Sequence, residues 1–352
     1  MLRRRGRIAS GLIALAILLA GFLEAPSASA QGLESITLIG RGSAGSTSDL
    51  AFTVLEEAIR RLYPGVAIRR LPGTATAVPP RVNSGEAWIG HGVGSTIIEA
   101  WEGSGLFAGR EPMRNLRLIG NYLGFLLRPS ASPTLVVRAD SDIRSWADLA
   151  GKRLGVGPPD SLNATATEVA LSGVGLSYEK IRQQGGLVVT GDWNQQFEQL
   201  GDGQLDAVTV TTDHPSPLLT RFAATNRPRL VSMSEEVIVA LLQRYRDFTR
   251  NRIPPGTYDW QTEEVLGTKI SLAYLVHKDV PEEIVYNICM QLYAPENATI
   301  WGEVVPSWKG AEELAPSAAS AIMIPLHPGA LRCFQDLGYE VNYIAYRADP
   351  VD

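Results

Sequence analysis

The chain has 352 residues, 45% hydrophobic and 20% charged, with a formal net charge of −5. That composition suits a folded protein of about two domains, and its acidic balance argues against nucleic acid or an anionic lipid surface as partner. Two cysteines, Cys289 and Cys333, show no metal-type spacing.

Residues 1–30 read as an export leader. Arg3, Arg4, Arg5 and Arg7 form a positive start, 11–23 is an apolar stretch short for a membrane span, and Ala28-Ser29-Ala30 is an A-x-A cleavage signal. The mature chain is expected to begin at Gln31 and to be periplasmic; an uncleaved anchor is the alternative. The leader carries four arginines and one glutamate, so its removal takes the formal charge from −5 to −8. In an oxidising compartment Cys289 and Cys333 could pair, or remain two buried thiols; spacing does not decide between them.

Beyond the leader, 35–39 is a buried strand, 40–48 a loop, and 49–62 a helix with apolar positions at Leu50, Val54, Leu55, Ala58, Ile59 and Leu62, stopped by Pro64-Gly65. A second strand at 66–71 leads to a loop at 72–78, a short helix ending at 82–85 and a third strand at 87–92. The pattern restarts with strands at 134–139 and 153–156, a helix at 165–171, a strand at 187–189, a helix at 193–200 and a strand at 205–211. Strand–loop–helix–strand order is the α/β signature of a parallel sheet. The expected domains are one lobe from 31–130 plus 236–352 and a second from 131–235, with 121–133 as one crossover and 232–249 near the return.

Gly40-Arg41-Gly42-Ser43-Ala44-Gly45 matches G-x-G-x-x-G between a strand and a helix, the context of a dinucleotide fingerprint. The next strand carries Arg69 and Arg70 instead of an acid for a ribose hydroxyl, so no cofactor is expected. Glycine-rich turns also expose backbone N–H groups at a helix N-terminus, which attract an anion. Three further loops share this character, at 73–77, 159–165 and 209–215. Ligands of open α/β sheets bind beyond the carboxyl ends of strands, so the four loops could converge on one cleft. Its expected lining is Ser43, Ser46, Thr47, Thr74 and Thr76 from the first lobe and Ser161, Asn163, Thr165, Thr211 and Asp213 from the second. Each hydroxyl has capping or turn chemistry as its alternative. Arg41 is a candidate carboxylate clamp, with an exposed surface arginine as the alternative.

No catalytic constellation emerges. The histidines at 91, 214, 277 and 327 lack metal spacing, and Ser43 is not in a G-x-S-x-G elbow. His327, between Leu326 and Pro328, is read as ordering a turn through a backbone hydrogen bond.

Ser84-Gly85-Glu86-Ala87, Glu99-Ala100-Trp101-Glu102-Gly103, Val137-Arg138-Ala139-Asp140-Ser141, Asp148-Leu149-Ala150-Gly151-Lys152-Arg153, Asp202-Gly203-Gln204-Leu205-Asp206-Ala207, Ile253-Pro254-Pro255-Gly256-Thr257-Tyr258 and Pro325-Leu326-His327-Pro328-Gly329-Ala330 occur in order. With the loop after the first strand, this set resembles the TAXI-type receptors of tripartite ATP-independent periplasmic (TRAP) transporters over nearly the whole mature chain. The resemblance implies a two-lobed, type II periplasmic-binding-protein fold with a ligand cleft between lobes. It also implies capture of a small organic acid or amino acid, delivery to a TRAP-type membrane permease by hinge closure, and no enzyme activity. A monomer is expected. The first-lobe loops depart from the family: Gly45-Ser46-Thr47-Ser48 lacks the usual aromatic pair, and Val78 and Trp88 replace an Asn and an Asp. A site that loses hydrogen-bonding groups rejects its old polar ligand strongly, so glutamate is not carried over. Two other roles remain, a receptor for an ABC importer and a periplasmic ligand sensor. An exported hydrolase using Ser43 or Ser161 lacks a placed His and acid.

Overall fold

A computed structural model describes residues 33–40, 47–74, 76–123, 126, 130–159 and 161–344. The expected leader, with its cleavage site at Ala30, lies outside them. The first five-stranded sheet has the order β2-β1-β3-β12-β4. It contains β1 (Ser35–Gly40), β2 (Ala67–Pro72), β3 (Ile89–Val93), β4 (Leu116–Asn121) and β12 (Leu272–His277). The second has the order β7-β6-β8-β5-β9, from β5 (Ser130–Arg138), β6 (Arg153–Gly155), β7 (Leu187–Val189), β8 (Ala207–Asp213) and β9 (Pro228–Val231). β10 (Thr249–Ile253) and β11 (Val265–Lys269) form a separate antiparallel pair.

The helices in chain order are α1 (Thr47–Leu62), α2 (Val78–Asn83), α3 (Gly94–Glu102), α4 (Leu162–Gly173), α5 (Tyr178–Gln183), α6 (Trp193–Gly201), α7 (Pro217–Ala223), α8 (Glu235–Arg244), α9 (Glu282–Tyr293), α10 (Ile300–Val304) and α11 (Pro328–Asp336). Short 3₁₀ segments occur at Gly105–Phe107, Trp146–Leu149, Pro306–Trp308 and Ala311–Ala319.

The purely parallel sheets expected from the strand–helix alternation are mixed, and the reason is topological. In the first sheet β1, β2 and β3 are parallel, while β12 runs antiparallel to β3 and β4. In the second, β6, β7 and β8 are parallel, while β5 runs antiparallel to β8 and β9. β5 follows β4 of the first sheet, and β12 follows the β10–β11 pair, which packs on the second. β12 starts at Leu272 beside Val93, the last residue of β3; β5 starts at Ser130 beside Asp213, the last residue of β8. Each crossover therefore enters at a carboxyl edge, and the strand it begins must run opposite to its neighbours.

Alternation along β5 explains how both faces of the second sheet are covered. Leu135 and Val137 point into the larger core, and Val136 points into a smaller one with Phe197, Leu200, Val208 and Phe222. Helix α8 packs on α4, and β10 and β11 pack on β5.

The resemblance motifs mostly build this frame. Ser145 and Asp148 form a reciprocal capping box at Trp146–Leu149. The Asp206 carboxylate accepts from the Arg153 backbone N–H at 2.7 Å and pairs with its guanidinium at 2.6 Å, tying β6 to the start of β8. His327 caps α11: its Nδ1 accepts from Gly329 N at 3.2 Å, and its Nε2 lies 3.2 Å from the Lys278 carbonyl. The turn-ordering role expected for it is the one observed. Cys289 on α9 and Cys333 on α11, both fully buried, form a disulfide with Cα atoms 6.2 Å apart.

Candidate functional site

Each sheet has one place where successive strands leave in opposite directions, opening a crevice at their carboxyl ends. In the first sheet it lies between β1 and β3, in the second between β6 and β8. The crossovers join these same edges, so the two crevices share one region of the molecule. Thr47 begins α1 beyond β1; Arg41, Ser43 and Ser46 lie outside the described residues.

Gly40, the last residue of β1, has a packing role. A Cβ there would lie 2.2 Å from the Phe52 ring on α1, so the first glycine of the G-x-G pattern serves close helix–strand packing. Arg70 on β2 pairs with Asp49 at 2.8 Å and sits over the Phe52 ring.

The second-sheet crevice is built around Asn163. Ser161 is the N-cap of α4: its Oγ accepts from Ala164 N at 3.2 Å and donates to the Pro158 carbonyl at 2.7 Å. One turn in, the buried Asn163 donates from Nδ2 to the carbonyls of Val156 (2.9 Å) and Thr209 (3.0 Å). Its Oδ1 accepts from Thr211 Oγ1 at 3.0 Å. Asn163 thereby spans the gap between the end of β6 and β8. Thr165 Oγ1 donates back to the Leu162 carbonyl at 3.1 Å, and Asp213 is buried at the end of β8.

Thr74 and Thr76 follow β2, the outer strand of the first sheet. Their hydroxyls are 3.1 Å apart, and Thr74 Oγ1 accepts from Ala77 N at 3.2 Å. Of the expected residues, the structure joins Asn163 directly to Thr211 and gathers Ser161, Thr165 and Asp213 around them. Thr74 and Thr76 form a separate turn.

Sequence reading missed the β3–α3 junction, the other side of the first-sheet crevice. Gly94, Ser95 and Thr96 open α3 there, all buried. Asp247, from the link between α8 and β10, packs against this helix start. A Cβ on Gly94 would lie 2.5 Å from Asp247 Oδ2, so only glycine leaves it room. The carboxyl accepts from Ser271 N at 3.4 Å. Nearby, Arg244 pairs with Glu99 at 2.7 Å and Arg246 with Glu102 at 2.5 Å. A cavity of about 290 Å³ opens between Ile98, Glu99 and Gly105 on one side and Arg244, Tyr245 and Arg246 on the other. The signal in the sequence was Gly92-Val93-Gly94-Ser95, small residues directly after an apolar strand.

Burial pushes the Asp247 carboxyl up to about 7, with backbone N–H groups of Ser271 and Ser95 pulling the other way. Burial also takes His214 down to about 3; its Nδ1 lies 2.7 Å from Tyr258 Oη and its Nε2 3.2 Å from Thr134 Oγ1. His214 contributes stability that is whole above its unfolded value of 6.5 and lost as pH falls toward 3. Asp247, raised above its unfolded 3.8, works oppositely: its contribution declines as pH rises from there toward 7. Asp247→Asn removes the opposing group. Between pH 6.5 and 5.5 the variant should lose about 1 kcal/mol more unfolding free energy than wild type. Urea titrations at the two pH values measure this, and parallel losses in both proteins would contradict it.

The chain matches the NMT1-like family over residues 76–338. Among solved structures, it resembles the binding protein component of an ABC phosphonate transporter from Pseudomonas aeruginosa. The identity is 10%, over 79% of this chain and 80% of that one, with a TM-score of 0.52. Others include the alkanesulfonate-binding protein SsuA from Xanthomonas axonopodis pv. citri bound to MOPS, at 14% identity over 87% and 83% of the chains with a TM-score of 0.44. A mutant of ArgBP from T. maritima matches at 15% identity over 79% and 96%, also with a TM-score of 0.44. The fold is that of the two-lobed periplasmic binding proteins.

Proposed function

Because the chain belongs to the NMT1-like family, we propose that it is an exported receptor that captures a small organic solute between two lobes and delivers it to a membrane transporter. The observation that carries this reading is the meeting of two sheet switch points at the crossovers. The second lobe, expected to end at 235, is proposed to extend to Lys269, because α8 packs on α4 and β10 and β11 pack on β5. Residues 33–121 and 272–344 then make up the first lobe, and closure is a hinge motion at the crossovers.

Solute contacts are proposed for Ser161, Thr165, Thr211 and Asp213 from the second lobe, and for Arg41, Ser43, Ser46, Thr47, Thr74 and Thr76 from the first, with Ser95 and Thr96 added. Asn163 acts by holding this edge together. The TAXI-type motifs support a TRAP permease as the transporter. The neighbour from an ABC phosphonate transporter supports an ABC permease at least as well.

The test is mass spectrometry of small molecules released by denaturing protein purified from the periplasm. A stoichiometric solute is expected. An empty protein, with no thermal stabilisation by any organic acid, amino acid, sulfonate or phosphonate, would contradict the receptor reading.

A further inference from the structure

Lys269 ends β11, three residues before β12 begins at Leu272. Leu272 pairs with Val93 at the carboxyl edge of the first sheet. At about 3.3 Å per residue, Lys269 stands within roughly 10 Å of that edge. Its Nζ donates to the Leu126 carbonyl at 3.3 Å. Leu126 belongs to the other crossover: its N–H bonds the Tyr122 carbonyl, and Tyr122 N bonds the Leu272 carbonyl at 3.0 Å. Four residues after Leu126, Ser130 opens β5 beside Asp213. The Lys269 ammonium therefore joins both crossovers at the floor of the region that the two switch points border.

We propose that Lys269 is the counter-charge for the solute, meeting the anionic group of a small organic acid (carboxylate, sulfonate or phosphonate) at the floor of the cleft. The proposal rests on the receptor reading and names its ligand class. An ammonium half-removed from water is stabilised by an arriving anion more than an exposed one is. Burial already holds Lys269 below the usual lysine range, and an anion beside it restores the charged form. The chain is acidic overall, so a half-buried cation at the cleft floor gives sign selectivity that the body of the protein does not.

Wild type, Lys269→Met and Lys269→Arg, each unfolded to strip solute and refolded, are titrated calorimetrically. The probes are succinate, ethanesulfonate, ethylphosphonate, the neutral succinamide and the cation 1,4-diaminobutane. Wild type is expected to bind one or more anions and neither of the other two. Lys269→Met should weaken that binding at least about tenfold, and Lys269→Arg should keep most of it. Anion binding unchanged in Lys269→Met overturns the assignment and leaves the receptor reading standing, as does binding of succinamide or diaminobutane in place of the anions. If no probe binds, the charge of the solute released from native protein decides. A neutral or cationic solute overturns the assignment; an anionic one replaces the probes in the same titration. A protein that releases none and binds none ends the receptor reading, and this proposal with it.

Discussion

Replacing Cys289 and Cys333 together by alanine should lower the unfolding free energy by about 3–4 kcal/mol. The bridge joins residues 44 apart in sequence, so it removes a large loop's worth of freedom from the unfolded chain. Its folded position adds a second cost. Both sulfurs lie in the main core between α9 and α11, which pack on one another, and alanine leaves part of that volume unfilled. Urea unfolding of the double variant against wild type measures the difference. The loss should be seen in full only against oxidised wild type, since wild type unfolded with a thiol reductant lacks the same constraint. Equal stability of the oxidised wild type and the variant would contradict it.

The second large effect is expected at Asn163. Asn163→Ala should cost about 2–4 kcal/mol, because it removes buried hydrogen bonds to the Val156 carbonyl, the Thr211 hydroxyl and the Thr209 carbonyl, the last of which keeps only Trp193 Nε1 at 3.1 Å of its two side-chain donors. The lost bonds link α4, the end of β6 and β8, so the crevice itself should loosen. Ser161→Ala removes only a partly buried cap and should cost about 1 kcal/mol. A double Ser161/Asn163 variant made to probe the solute site would thus report mostly on folding. Solute affinity is better probed with Thr211→Val, scored against its own stability. A thermal scan showing Asn163→Ala as stable as Ser161→Ala would contradict the bridging role.

Much of the fold was legible because its signals are local. The strand at 35–39 and the helix at 49–62 lie within two residues of β1 and α1, since apolar periodicity and the Pro64-Gly65 stop determine both. The mixed sheets were not legible, because β12 and β5 acquire their direction from crossovers distant in sequence. The extension of the second lobe to Lys269 proposed above was hidden for the same reason: β10 and β11 pack on β5, more than a hundred residues earlier. Around the second-sheet crevice, Ser161, Asn163, Thr165 and Thr211 were singled out from loop chemistry following a strand, and the structure joins Asn163 to Thr211. Their hydroxyls and amide are largely engaged in capping and bridging, which composition does not reveal. Gly94 and Ser95 were passed over because the strand before them ends without a polar loop. Asp247 and Lys269 were invisible, as a lone acid and a lone lysine gain meaning only from where the chain brings them. The motifs behind the family resemblance mark the frame more than the pocket, as the Asp206–Arg153 pair and the His327 cap illustrate.

The central claim is that one solute is held by both switch points at once. Hydrogen–deuterium exchange of the stripped protein, with and without the solute released from the native form, tests it most directly. The account predicts slowed exchange in two segments together, 93–97 at the start of α3 and 156–165 at the start of α4, with saturation at the same solute concentration. Protection confined to one sheet, or to neither while the solute remains bound, would contradict it.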